Sequence, residues 1–458
     1  MRRPRFLFLA LIVGAAVAGC AYYNGLFNAN RLAGDAERAQ REGRSGEARS
    51  LWAQAAVKAE SVATRYRTSR YRDDALLLWG RALAEAQDCR RAVRPLRVAV
   101  DSSPDPAIVG AARVLAGRCY VDLRRPDSAL VALGPVLEST DSVVATEALL
   151  WRGRALLGLQ RYDEAAATFE RIPVERSVFE RASAYVALEE ADRAGGVLEQ
   201  YVAAPYDERR WLGSLDSLGQ LDPERASALV DRLLSRPGLT AGERARLLLG
   251  DARRWSTHGA PDRAGIRFRA AVEAAPDSAE GFAADAYLTV AELRRTDDVS
   301  RLGEVWRALV QGTRRPGASQ QVTAPVAGVV GHAVQVLEEP PEEGADLRMF
   351  VVAEELRDSI SAPAPAGALF LELARRYPES RVTPKALLAA AALRPSLADS
   401  VASVLADRYP GSPYTLALLG AGGEQFAAFE DSLGVLLARE RRLLSAPGRG
   451  EREIGVVR

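Results

Sequence analysis

The chain has 458 residues, with 61 Lys or Arg against 60 Asp or Glu, and its 48% hydrophobic content is ordinary for a folded protein. A formal net charge of +1 argues against nucleic-acid binding, which needs an excess of positive charge. Only two His are present, His258 and His332, so a closed zinc site lacks ligands and we expect no metal and no cofactor. The length predicts two or three domains, or one long array of repeats.

The N-terminus, MRRPRFLFLALIVGAAVAGC, has three early Arg, an apolar run over 6–13, and small residues before Cys20. This order resembles a bacterial lipoprotein signal, which implies a signal peptide over 1–19 and fatty acids such as palmitate attached through Cys20. Because residue 21 is Ala and not Asp, the resemblance implies the outer membrane, facing the periplasm. A secretory signal with a chance Cys, or a short membrane anchor, is the alternative.

Two further cysteines, Cys89 and Cys119, remain after processing. In an exported chain such a pair predicts a disulfide, because the compartment is oxidising. Two buried thiols packed as small hydrophobic groups would also fit. Both possibilities stay open at this point.

From residue 30 onward, helix-length apolar patterns alternate with short turns, and a small residue recurs twelve positions before an Ala. Leu or Phe follows each Ala by four. The three best-aligned sets are Gly80, Ala92 and Leu96; Gly117, Ala129 and Leu133; and Gly153, Ala165 and Phe169. In a fourth set, Ala264 follows Gly250 by fourteen positions, and Phe268 follows Ala264 by four. The spacing of fourteen predicts a turn two residues longer than in the other sets. Ala36, Ala48 and Trp52 predict a further unit upstream.

These offsets resemble the tetratricopeptide repeat, a helix–turn–helix unit of 34 residues. The resemblance implies an all-α, right-handed solenoid. It also implies that the small residue and the Ala face each other where the two helices cross, while the large residue fills the groove beside them. An ordinary helical bundle is the alternative.

A second motif, Tyr-x-x-Ser with an aromatic or β-branched residue two positions further on, begins at Tyr66, Tyr377 and Tyr409. We expect Tyr to end one helix and Ser to cap the next. The motif resembles the repeats of periplasmic lipoproteins, notably the BamD-like family of outer-membrane assembly factors. That resemblance covers residues 20–100 and 365–420.

Composition and pattern divide the mature chain into five segments. We expect N-terminal repeats over 20–204, middle helical repeats over 205–311, and a Gly/Pro/Ser/Gln linker over 312–325. C-terminal helical repeats over 326–444 and a disordered tail over 445–458 complete the prediction.

Helical repeats present long binding surfaces and carry no chemistry of their own, and no phosphate loop or catalytic motif stands out, so we expect a protein that is not an enzyme. The resemblance implies a periplasmic scaffold, anchored by lipid, that binds envelope proteins through a concave surface and acts in outer-membrane protein assembly or envelope organisation. The alternative is a non-catalytic regulator of peptidoglycan synthesis or remodelling.

Overall fold

A computed structural model describes residues 25–421 and 423–445, and these residues contain helices and turns but no strand. The predicted signal peptide, Cys20 and all but the first residue of the predicted tail lie outside the described residues. The chain forms two compact units, which divide after Leu233. The prediction of an all-α fold of helix–turn–helix repeats is confirmed.

In the N-terminal unit, most helices contact the next helix in the chain and alternate helices also contact one another, as expected for a stack of hairpins. Its helices are α1 (25–41), α2 (Ser45–Arg65), α3 (Arg72–Glu85), α4 (Cys89–Ser102), α5 (Pro106–Asp122), α6 (Pro126–Leu133), α7 (Ser142–Gly158), α8 (Tyr162–Glu170), α9 (Val174–Ala187), α10 (Ala191–Glu199), α11 (Glu208–Leu221) and α12 (Pro223–Leu234).

The C-terminal unit begins with a similar hairpin but also contains contacts between helices distant in the chain, such as α15 with α19 and α18 with α23. Its helices are α13 (Ala241–Thr257), α14 (Pro261–Ala274), α15 (Ala279–Arg295), α16 (Leu302–Thr313), α17 (Ala318–Glu338), α18 (Ala345–Asp358), α19 (Pro363–Arg376), α20 (Thr383–Leu393), α21 (Ala398–Arg408), α22 (Pro413–Leu418) and α23 (Gly423–Ser445).

Six hairpins, α1/α2, α3/α4, α5/α6, α7/α8, α9/α10 and α13/α14, share one three-residue turn. In each turn the middle residue has a left-handed backbone, with φ between 58° and 75°; these residues are Gly43, Gln87, Arg124, Gln160, Glu189 and Gly259. The amide of the next residue donates to a carbonyl five positions earlier, as Arg161 does to Leu156 at 3.0 Å. This bond ends the first helix and reverses the chain.

The turn also corrects the fourth repeat. The α13/α14 connection covers only residues 258–260, so it is no longer than the others. The small residue that precedes Ala264 by twelve is Ala252, which is fully buried, and not Gly250. The predicted two-residue insertion was therefore wrong, because Gly250 lies outside the position that the other glycines occupy.

The predicted linker over 312–325 is wrong in extent, since only residues 314–317 connect α16 to α17. Two of the polar residues there are buried: Ser319 donates to the carbonyl of Gly312 at 3.2 Å, and Thr323 to that of Ser319 at 2.9 Å. A Cβ on Gly312 would lie 2.6 Å from the Thr323 methyl, so this glycine permits close helix packing and does not mark a hinge. The boundary between units likewise falls after Leu233 and not at residue 204.

The three Tyr-x-x-Ser segments form the same turn. Each Tyr follows the last residue of a helix, and the Ser amide donates to the Tyr carbonyl at 3.0 to 3.1 Å. At Ser69 and Ser380 the hydroxyl accepts from the amide two residues later, at 3.3 Å, so Ser closes the turn and does not cap the following helix. The expected helix end at Tyr is confirmed. The expected Ser cap was wrong at these two sites, and Ser412, which stands at the N-cap position of α22, makes no side-chain cap bond.

Candidate functional site

The repeat residues pack in a way that differs from the expected Gly–Ala contact. A Cβ built on Gly153 would lie 2.3 Å from Cε1 of Phe169, and one on Gly80 or Gly117 would lie 2.4 or 2.5 Å from the Leu at the matching position. Each glycine therefore receives the large residue sixteen positions later. These large residues are fully buried: Leu96, Leu133 and Phe169.

The alanines Ala92, Ala129 and Ala165 are also fully buried, and Ala264 and Phe268 are 3% and 4% exposed. They keep the second helix close to its neighbours, while the large residue fills the space left by glycine. The expectation that Gly and Ala would meet is thus corrected: glycine is small because Leu or Phe occupies the position of its missing side chain.

Sequence reasoning missed one complete repeat. Ala182, Ala194 and Leu198 have the same offsets and are at most 1% exposed, and Glu189 between them adopts the left-handed turn. The signal was present in the spacing but lacked glycine at the first position. In the C-terminal unit, Ala353, Ala366 and Phe370 repeat the pattern with one extra residue in the turn, where Ser361 has a φ of 52°.

The structure joins Cys89 and Cys119 in a disulfide, with Cα atoms 4.9 Å apart. Cys89 is the first residue of α4 and Cys119 lies near the end of α5, and both are buried. Of the two possibilities left open by the sequence, a disulfide or two buried thiols, the structure contains the disulfide. The disulfide links two neighbouring repeats of the N-terminal unit.

The first helices of successive hairpins, α3, α5, α7, α9 and α11, contact one another side by side. We call their shared solvent-facing surface in the N-terminal unit the first-helix face. Three of its residues immediately follow the repeat glycines: Arg81, Arg118 and Arg154. Because they occupy one repeat position, they project from successive helices in register.

Ion pairs connect the first helices across this face. Arg81 of α3 lies 2.6 Å from Glu37 of α1, and Arg118 of α5 lies 2.6 Å from Glu85 of α3. Glu180 of α9 is shared: Arg154 of α7 binds one carboxylate oxygen at 2.5 Å, and Arg210 of α11 binds the other at 2.7 Å. The pairs are partly exposed, so each contributes about 0.2–1 kcal/mol, and together they link neighbouring first helices.

Aromatic rings lie between these charges. The guanidinium groups of Arg118 and Arg154 lie 5.7 and 4.4 Å from the ring centre of Trp151 on α7, and that of Arg210 lies 4.4 Å from Phe179. Such contacts are worth about 0.5–1 kcal/mol at exposed sites. The face thus presents Arg side chains held over aromatic rings, a combination enriched where proteins bind proteins.

Asp122, the last residue of α5, adds a carboxylate near Arg118 and Arg154. Burial raises the pKa of this carboxyl above its usual value, the two guanidinium groups oppose the rise, and Glu85 adds to it. The raised pKa indicates that the ionised carboxylate is poorly solvated in its present surroundings.

Next to the shared Glu180 lies a groove of about 580 Å³ between α9 and α11, bounded also by Leu157 of α7. Its lining combines apolar residues, Leu157, Phe179, Ala182 and Val186, with serines and charged residues, which are Ser183, Ser214, Ser217, Glu180, Asp207, Arg209 and Arg210. The volume and mixed lining suit one or two side chains of a bound polypeptide better than a buried cofactor.

Over the described ranges, 25–421 and 423–445, no three His, Cys, Asp or Glu side chains are grouped so as to hold a metal ion. His258 is exposed in its turn, with Nδ1 2.9 Å from the carbonyl of Arg254. His332 lies 3.2 Å from Glu355, and its side chain is 34% exposed, so it is less buried than a core histidine. Of the helices in these ranges, none has the length and hydropathy needed to span a membrane.

Comparison with known proteins matches residues 147–174, in α7 and α8, to the sequence model of the tetratricopeptide repeat family. These residues include Gly153, Ala165 and Phe169. No curated protein matches the chain.

Three solved structures show distant similarity. A chain of Naa15/Naa10 bound to HypK-THB is 13% identical with a TM-score of 0.29, and the match covers 91% of this chain but only 64% of that one. The APC/C hetero-tetramer Cut9–Hcn1 is 14% identical with a TM-score of 0.27, covering 90% and 96%. The human IFIT1 dimer with m7Gppp-AAAA is 12% identical with a TM-score of 0.25, covering 84% and 94%.

Proposed function

We propose that this tetratricopeptide-repeat chain is a non-catalytic scaffold, anchored to the bacterial outer membrane by lipid, that binds envelope proteins through the first-helix face of its N-terminal unit. The observation that carries the proposal is the succession of Arg side chains, held by neighbouring carboxylates, beside an open groove of mixed apolar and polar lining. Arg and aromatic groups on a rigid scaffold provide binding anchors whose conformational freedom is already restricted.

The anchor rests on the sequence that ends at Cys20. Two or more acyl chains hold a protein firmly on a bilayer, since each buried CH₂ contributes about 0.8 kcal/mol. Cys20→Ser is expected to release the chain from membranes or to leave it unprocessed. If this variant fractionates with the outer membrane as the unchanged chain does, lipid anchoring is wrong.

The role in outer-membrane protein assembly rests on the resemblance of the Tyr-x-x-Ser segments to BamD-like lipoproteins. Chemical crosslinking in intact cells, followed by purification of the chain and identification of attached proteins, tests it. Recovery of a β-barrel assembly component is the expected result. Recovery of a peptidoglycan synthase or hydrolase would instead favour the regulatory role, and recovery of no envelope protein would contradict both.

A further inference from the structure

The C-terminal unit contains α23, the last helix that the structure describes. This helix contacts α18 and α22, and its side chains reach Lys385 of α20. Glu354 of α18 directly follows the small repeat residue Ala353, so it occupies the position that Arg81, Arg118 and Arg154 hold in the N-terminal unit. The surface covered by α23 therefore corresponds to the one left open in the N-terminal unit.

The apolar contact of α23 follows helical spacing. Its inward residues recur every three, four or seven positions: Phe426, Phe429, Leu433, Leu437 and Leu444. Leu433 and Leu437 are 2% and 3% exposed, and the ring of Tyr414 on α22 meets Phe426 and Phe429 edge-on at 5.5 and 5.8 Å. This is the pattern of an amphipathic helix lying in an apolar groove.

Charged side chains fix the direction of α23. Arg348 of α18 lies 2.9 Å from Glu440, and Lys385 lies 2.7 Å from Glu430. Glu354 binds Arg441, which directly follows Glu440. The charges of the groove thus match an acidic residue about two turns into the helix and an acidic–basic pair near its end.

Several features make α23 separable from the unit it covers. Gly420, in the turn before it, and Gly423, its first residue, have φ of 79° and 48°, values that glycine adopts without strain. Few described side chains of α23 are buried, whereas α19 buries seven of its fourteen residues. Its apolar contact is supplemented by three ion pairs, a mixture typical of interfaces between domains.

We propose that α23 is a built-in occupant of a helix-binding groove on α18, α20 and α22, and that a partner protein displaces it with an amphipathic helix of the same pattern. The partner helix carries large apolar residues at three- and four-residue spacing, an acidic residue in its first turns, and an acidic–basic pair ten residues later. This inference rests on the proposed scaffold role and adds the chemistry of one partner.

A fluorescent synthetic peptide of residues 423–445 serves as the probe, added to the full chain. Because the tethered α23 is present at an effective concentration of the order of millimolar, the unchanged chain is expected to bind the peptide weakly. Leu433→Ala with Leu437→Ala in the chain loosens its own helix and is expected to tighten peptide binding at least about tenfold. Val435→Ala is the matched control, because Val435 lies on the same helix and is 67% exposed; binding should stay within about twofold of the unchanged chain.

Charge reversal tests whether the peptide occupies the groove itself. A chain with Glu354→Arg is expected to prefer a peptide carrying Arg441→Glu over the unchanged peptide, and the unchanged chain should show the opposite preference. The double Leu variant binding no tighter than the Val435→Ala control would overturn the proposal. So would loss of amide protection in α18 and α20, which would make α23 part of the core, or dimerisation by exchange of α23 without peptide binding. None of these results affects the test of the N-terminal face.

Discussion

The two units use the same repeat residues but differ in what covers the first helices. In the N-terminal unit, Arg118 and Arg154 are paired with carboxylates of neighbouring first helices, and a groove beside Glu180 stays open to solvent. In the C-terminal unit, the equivalent residue Glu354 binds Arg441 of α23. The comparison shows that the residue at one repeat position can form an ion pair either with the first helix of a neighbouring hairpin or with a helix that packs over the first helices.

The disulfide provides the largest expected difference between the units. Reduction, or replacement of both Cys89 and Cys119 by Ser, is expected to lower the free energy of unfolding of the N-terminal unit by about 3 kcal/mol, because the bond closes a 30-residue separation in the unfolded chain. Hydrogen exchange resolved by segment measures it. Equal loss of protection in α18 and α19 would mean that the two units unfold as one.

The repeat register predicts opposite effects for two glycines. Gly153→Ala is expected to destabilise the N-terminal unit by about 1–3 kcal/mol, since the new Cβ would lie 2.3 Å from the buried ring of Phe169. Gly250→Ala meets only a guanidinium nitrogen, of Arg254, at 3.6 Å and is expected to be neutral or to stabilise α13 by up to about 1 kcal/mol. Urea unfolding of both variants decides this; similar losses would restore Gly250 to the repeat position.

The left-handed turns predict a smaller, reciprocal pair of effects. Gln160→Gly is expected to stabilise the α7/α8 hairpin by about 0.5–1 kcal/mol, because a φ of 59° is unfavourable for a residue with a Cβ. Gly259→Ala in the α13/α14 hairpin is expected to cost about 1 kcal/mol from the backbone alone, since a Cβ there meets nothing within 4 Å. Thermal unfolding measures both, and a destabilising Gln160→Gly would contradict the shared turn.

In the C-terminal unit, one carboxylate is expected to make the free energy of unfolding depend on pH, by about 1 kcal/mol. Hydrogen bonds from Arg375 and then Arg376 hold the pKa of Glu372 at about 2, below its usual 4.5. A lowered pKa stabilises the folded state above the unfolded value, and this stability is lost as the pH falls from about 4.5 through 2. Glu372→Gln should therefore lower the free energy of unfolding by about 1 kcal/mol at pH 7 and by little near pH 2. Solvent screening of the exposed Arg375 keeps the effect at pH 7 this small. A cost that does not change with pH would contradict this assignment.

The fold was predictable because the Gly-to-Ala spacing of twelve depends on local rules, namely helix periodicity and a turn of fixed length. The contact partner of Gly153 was not predictable, since the spacing determines which helices cross but not which side chain fills the space beside the glycine. The repeat at Ala182 was missed because alanine stands where other repeats have glycine. Gly250 was misassigned because it is a glycine close to the true repeat position, which Ala252 occupies.

The candidate site was less predictable than the fold. The Arg after each repeat glycine is visible in the sequence at residues 81, 118 and 154, but its partners lie on other helices, so only the structure identifies Glu85 and Glu180. The linker expected at 312–325 failed for a related reason: Ser319 and Thr323 are polar in sequence but satisfy their hydroxyls on carbonyls of the chain when buried.

The most direct test of the central claim, that the first-helix face of the N-terminal unit binds envelope proteins, is site-specific photo-crosslinking in cells. A photoreactive amino acid replaces Ser183, in the groove between α9 and α11, or Val131, which is 77% exposed on the second helix α6. We expect covalent adducts with envelope proteins from position 183 and few from position 131. Adducts from position 131 that equal or exceed those from position 183 would contradict the claim.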